Sequence, residues 1–204
     1  MRIGPRLVLL IAVQTIVLAI IGVTAVIGLN FATDTTESLN KNVIEQVTLN
    51  QLNGNVRTDL LDMVTRVSTG KINWEQGSED LLAAKNIFIN NWDEYKEDKT
   101  AEERKELEAS LGNEYRNILT AFDEIETLFT IQDTEGLNEF LEVRSNTIIT
   151  PFITELNERV KEYQISSEAL FTNSINTNKM FFNASAAIMA FGLVFASILG
   201  YIIY

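Results

Sequence analysis

The sequence predicts an all-α protein, an antiparallel up-down-up-down four-helix bundle continuous with two transmembrane helices. Three observations predict it. Apolar stretches run from Leu7 to Phe31 and from Met180 to Tyr204, neither carries a charge, and all 28 acidic residues lie between them. The intervening 148 residues, Ala32 to Lys179, contain one proline, Pro151, and few glycines, which is sparse punctuation that suits a few long helices. Within that segment the apolar residues recur at steps of three and four.

Each apolar stretch has 25 residues. As a helix that spans roughly 37 Å, enough for a hydrocarbon core of about 30 Å with some tilt. The first is also longer than the roughly 7 to 15 apolar residues of a cleaved signal peptide. Arg2 and Arg6 precede it with no acid among the first six residues, which favours a cytoplasmic N-terminus. The expected division is therefore 1–6 inside, 7–31 as the first span, 32–179 periplasmic or extracellular, and 180–204 as the second span of an inner-membrane protein.

Between the spans, Leu39, Val43, Val47, Val56, Leu60, Met63 and Val67 place one apolar stripe on a helix that continues out of the membrane and stops at Gly70. Asn53-Gly54 interrupts it, either as a tolerated glycine costing about 1 kcal/mol or as a bulge that divides the helix. Lys71 to Gly77 reads as a turn, and Ser78 followed by Glu79 and Asp80 as the N-cap of a second helix with the stripe Leu81, Ile87 or Phe88, Trp92 and Tyr95. Thr100 with Glu103 has the form of a capping box. The third helix it opens carries Leu107, Leu111, Tyr115, Ile118, Phe122, Ile125 and Phe129 and should end near Gln132. Asp133 or Thr134 caps a fourth, with Leu137, Leu141, Ile148, Phe152, Leu156, Tyr163 and Leu170, which Pro151 should kink.

The segment 32–179 holds 14 basic residues, the 16 of the chain less Arg2 and Arg6, against 28 acids, a formal charge of −14. Such a domain does not seek nucleic acid or an anionic lipid surface. The chain has no cysteine and no histidine, which excludes disulfides, His-dependent nucleophilic triads and the common zinc and di-iron sites. No Asp/Asn loop closed by Gly and Glu suggests calcium. The expectation is no enzyme, no cofactor and no metal.

The arrangement of a basic N-terminus, a span, about 150 residues of four helices and a second span resembles the sensory half of a bacterial methyl-accepting chemotaxis receptor of the four-helix-bundle type. Sensor modules of histidine kinases and cyclases share this layout. The resemblance implies a parallel homodimer that binds a small ligand or a periplasmic binding protein, and a helix displacement passed through the second span. Ligand-gripping arginines in the amino-acid receptors project from the first bundle helix, which here carries Arg57 and Arg66 in NVRTDLLDMVTR. Their middle arginine corresponds to Asp62, a charge reversal that departs from a dicarboxylate amino-acid ligand. On an ideal helix nine residues turn through about 900°, so Arg57 and Arg66 should face opposite sides; the plainer role for Arg66 is an i, i+4 ion pair with Asp62. Further contacts would come from the start of the fourth helix, Arg144 to Thr150.

Trp74, Trp92, Tyr95 and Tyr115 are aromatic candidates for a ligand cavity, or simply for the core. An amino acid, an organic acid or an amine suits the layout, and an uncharged or cationic ligand or a partner protein suits the charge as well. Receptors of this family continue past the second span into a HAMP linker and a cytoplasmic coiled coil. With the sequence ending at Tyr204, the expectation is a piece of such a receptor or a free-standing adaptor module.

Overall fold

In the computed structural model, which describes residues 3–203, the chain is wholly helical, with no strand among the described residues. The side chains at 3–7, 9, 10, 199, 202 and 203, and all of Met1, Arg2 and Tyr204, lie outside that description, and with them the Arg2/Arg6 orientation signal. The elements are α1 (Ile3–Gly54), a first π segment (Asn55–Asp62), α2 (Met63–Ser68), α3 (Trp74–Glu97), α4 (Ala101–Thr130), α5 (Thr134–Glu139), a second π segment (Phe140–Arg144) and α6 (Ser145–Ile203). Four of these helices, α1, α3, α4 and α6, are long. The contacts divide the chain into two compact units, one made of the residues up to Lys41 together with those from Ser166 on, the other of Asn42–Ile165.

The first unit contains both apolar stretches. Two helices there are long and apolar enough to cross a membrane. Where they meet, Val17 lies against Gly192 and the ring of Phe181 against Gly28. Much of their remaining surface is apolar, with Phe191 78 % and Leu18 68 % exposed. Thr15, Thr24 and Ser197 donate their hydroxyls to the carbonyls of Ile11, Ile20 and Leu193 one turn back, so these side chains need no water.

The second unit has one apolar core, lined by Leu52, Leu60, Phe88, Ile118, Phe122 and Phe152 among others. Side-chain pairs fix its registers. Between α3 and α4 they are Trp74 with Phe129, Lys85 with Asp123, Phe88 with Phe122, and Trp92 with Tyr115, so partner numbers fall on α4 as they rise on α3. Val67 meets Gly77, Asn55 meets Asn91 and Glu45 meets Lys99 in the same descending manner. Asn53 donates to Asn157 and the Arg159 guanidinium to the Ser110 hydroxyl, which ties α6 to α1 and α4, and Arg144 of the second π segment donates to Glu124 of α4.

The helix ends follow from local chemistry. Gly70, at φ +69, closes α2, because only glycine adopts that conformation without strain. At Thr100 the capping box forms: its N–H donates to Glu103 Oε2 at 2.7 Å, and the Glu103 N–H donates to Thr100 Oγ1 at 3.3 Å. Gln132 reverses the chain after α4 at φ 54, and Asp133 accepts from Gly136 N at 2.9 Å to start α5.

Two sequence expectations are corrected, and one alternative left open is decided. The N-cap of α3 is Asn73, not Ser78; Asn73 Oδ1 accepts from Gln76 N at 2.8 Å, and the Ser78 hydroxyl donates back to the Trp74 carbonyl inside the helix. Gly77 is therefore helical, and it is glycine because a Cβ there would stand 2.5 Å from Val67 Cγ2. On α1 the stripe through Val43 and Val47 faces outward, at 53 % and 50 % exposure, and the inward stripe runs through Glu45, Leu49 and Leu52. Finally, the first bundle helix is not uniformly α: it widens to i→i+5 bonding just after Gly54, as the bulge reading of Asn53-Gly54 anticipates. The fourth widens at Phe140–Arg144 and then continues through Pro151.

Candidate functional site

The first π segment borders a groove of the second unit that gathers opposite charges. Gly54 begins it with no atom within 4 Å of where a Cβ would lie. The buried Asn55 then anchors it: its amide donates to Asp59 Oδ2 at 2.7 Å, and its carbonyl accepts from Asn91 on α3 at 2.7 Å. A π turn holds one residue more than an α turn, so the side chains that follow are rotated relative to a uniform helix. That rotation brings Thr58, Asp59, Asp62 and Arg66 to the margin of α3, opposite Asp80 and Ile87.

The groove has a volume of about 320 Å³. Met63 and Ala84, both buried, form its apolar floor. Gln76 donates to Asp80 Oδ1 at 2.8 Å and orients it. Three carboxylates against one guanidinium leave a formal charge of −2 along the walls. The Arg66 guanidinium has no ion-pair partner among the described residues, so the expected pair with Asp62 is absent. Chemically the groove offers carboxylates for an ammonium group, a guanidinium for a carboxylate, and an apolar floor for the carbon between them.

Of the sequence-predicted residues, only Arg66 lines this groove. Arg57 lies on the π segment, exposed and outside the lining; with a π segment between them, the ideal-helix angle relating the two arginines no longer applies. Arg144 ends the second π segment and binds Glu124 through both guanidinium edges, Nη2 to Oε2 at 3.0 Å and Nε to Oε1 at 3.3 Å. That hydrogen-bonded carboxylate raises its pKa further. Thr150 is exposed, and its carbonyl accepts the Thr154 hydroxyl.

The aromatic candidates form a filled stack. Trp92 lies on Tyr115 at 4.4 Å between centroids and 11° between planes, Tyr115 on Phe88 at 5.5 Å, and Phe88 meets Phe152 edge-on. Burial first, then the Asp93 and Glu108 charges, push the Tyr115 phenol up to about 12. Trp74 packs edge-on against Phe129 at 5.9 Å. Among the described residues no group of three Asp or Glu side chains is placed to hold a metal ion.

A scan of family models and searches of curated proteins and solved structures find no match. The groove is therefore read from its own chemistry. Sequence reasoning missed Asp59 and Asp80 because two carboxylates among 28 carry no distinguishing pattern. The nearest sequence signal is Asn53-Gly54, which marks the start of the wide turn that carries Asp59.

Proposed function

We propose that this chain is a membrane-anchored sensor module of the chemotaxis-receptor type. It is anchored in the inner membrane with its N-terminus inside, and its second unit stands outside as an up-down-up-down bundle that works as a parallel homodimer. Binding of a small ligand displaces the last helix, and the second span carries the displacement inward. The observation that carries the reading is that the helices with membrane-crossing apolar stretches, α1 and α6, are also the first and last helices of the core in the second unit. The descending side-chain registers support the up-down order, and the bare apolar surface of the first unit supports a lipid surround.

The groove beside the first π segment is the ligand site, and its walls favour an amine or a zwitterionic amino acid over an organic dicarboxylate. The test is thermal unfolding of the detergent-solubilised chain against panels of amines, amino acids and organic acids. A ligand at 100 times its Kd adds about 2.7 kcal/mol to stability. An amine or amino acid should raise the Tm in a concentration-dependent way, and Asp59→Asn with Asp80→Asn should abolish the rise. A rise from dicarboxylates alone, or one that the double substitution leaves intact, overturns the assignment of the site.

A further inference from the structure

A second polar cluster lies inside the core of the second unit, away from the groove. Lys99, in the turn between α3 and α4, pairs with Glu45 on α1, and both side chains are 5 % exposed. Lysine at a helix-to-helix turn normally reaches water with little cost, so burial here is a specific choice of place. The ammonium lies 4.2 Å from the ring centre of Tyr95 on α3 and 6.0 Å from that of Tyr163 on α6. From α4, Arg104 Nε donates to the Lys99 carbonyl at 2.9 Å. Arg159, next to the cluster on α6, donates to Ser110 of α4. One residue therefore touches or faces all four long helices. Glu45 and Tyr163 also stand three and two residues inside the limits of the unit, Asn42 and Ile165, where the chain enters and leaves it.

A buried ion pair is a poor device for stability, because removing two charges from water costs several kcal/mol and an apolar pair of the same volume often does as well. Its distinctive property is that it is satisfied in one register only. Tyr95 is pushed well above its ordinary pKa, by burial and then by Tyr163 and Glu45, and Tyr163 is raised by burial and Glu45, so both rings stay neutral faces for the ammonium. Glu45 Oε2 has no hydrogen-bond partner among the described residues, so the Lys99 ammonium is the charge that holds this carboxylate in place.

We propose that Lys99 is a register lock: its charge pins α1 to the α3–α4 turn, with the Tyr163 ring of α6 beside it, at the end of the unit where the chain enters and leaves, and axial slippage of α1 requires that the Glu45 pair opens. This holds whatever the groove binds. The chain has no cysteine, so engineered pairs read the register cleanly. Asn53 and Asn157 touch across α1 and α6 at 3.1 Å, and Thr154 and Lys161 lie about one turn to either side of Asn157.

In the full chain in lipid nanodiscs, Asn53→Cys would be combined in turn with Asn157→Cys, Thr154→Cys and Lys161→Cys, and oxidative cross-linking rates measured. With the lock intact the 53–157 pair should dominate. Lys99→Met should raise a slipped pair relative to 53–157 by about tenfold or more, and Glu45→Lys with Lys99→Glu should restore the original ratio. If Lys99→Met does not fold, Glu45→Gln serves for the same reading. Unchanged ratios in a folded variant, whatever its melting temperature, overturn the proposal and leave the pair a packing feature.

Discussion

Gly54 and Gly77 lie in helical segments of the same unit, and substituting each by alanine should shift stability in opposite directions. At Gly54 the backbone is ordinary helix, φ −59 and ψ −44, and nothing lies within 4 Å of an added Cβ. Only the intrinsic preference remains, so Gly54→Ala should stabilise by about 0.5–1 kcal/mol. At Gly77 the same preference is opposed by Val67 Cγ2 at 2.5 Å and Phe129 Cε2 at 3.1 Å. Val67 is β-branched and buried, so it has no free rotamer to move into. Overpacking of that kind costs about 1–3 kcal/mol and exceeds the helix gain over most of that range, giving a net loss near 1 kcal/mol. For the 124 residues from Asn42 to Ile165, 1 kcal/mol corresponds to about 4 °C in Tm. Far-ultraviolet circular dichroism of the full chain in detergent would record both shifts. A Gly77→Ala protein as stable as the parent would refute the packing argument, and a loss of stability in Gly54→Ala would show that the wide turn after it needs glycine for more than tolerance.

Two further tests follow from the caps and the phenols. Asn73→Ala should destabilise by about 1 kcal/mol through loss of the bond to Gln76 N, while Ser78→Ala should be neutral within about 0.5 kcal/mol; the reverse order in urea unfolding would restore Ser78 as the cap. The native Tyr95, Tyr115 and Tyr163 pKa values are raised above an unfolded value of about 10, so the stability they confer is full below about pH 10 and is lost as pH climbs from there, with Tyr115 ionising near 12. Phenolate absorbance should therefore rise together with loss of the fold above pH 10, and tyrosines that ionise as a group near pH 10 in an intact fold would contradict this.

What was legible in the sequence was local. The Thr100–Glu103 box, the Asp133 cap, the Gly70 stop and the stripe of α4 each depend on residues within a turn or on a period, and each forms as the spacing suggests. The departures at Gly77 and at Val43 and Val47 involve distant partners. Gly77 resembles a turn until Val67 and Phe129 are seen to occupy the space of its Cβ. Val43 and Val47 have the right period for a core stripe, but period cannot say which of two faces turns inward, and the choice is made by Glu45 meeting a lysine 54 positions later. The π segments change the bonding without changing the composition, and only Asn53-Gly54 marks either of them. In the groove, Arg66 was singled out by the family resemblance, whereas Asp59 and Asp80 converge only through the fold.

The two polar levels of the core sit on one element: Glu45 and Asn55 are ten residues apart, both inward-facing near one end of α1 and the π segment that extends it. In an otherwise apolar core each level fixes register at its own height, because sliding would strand a buried polar group at a cost of about 1–3 kcal/mol. Asp59 is where the upper level meets the groove, since the carboxylate that Asn55 uses to hold the wide turn also lines the wall. On the proposed function, a ligand ammonium that engages Asp59 draws on the carboxylate that holds the Asn55 amide, so occupancy of the groove acts through Asn55 on its buried contact with Asn91. Asp59→Asn would then uncouple the two even if a ligand still entered the groove, because an amide side chain can keep Asn55 paired while offering the ammonium no charge.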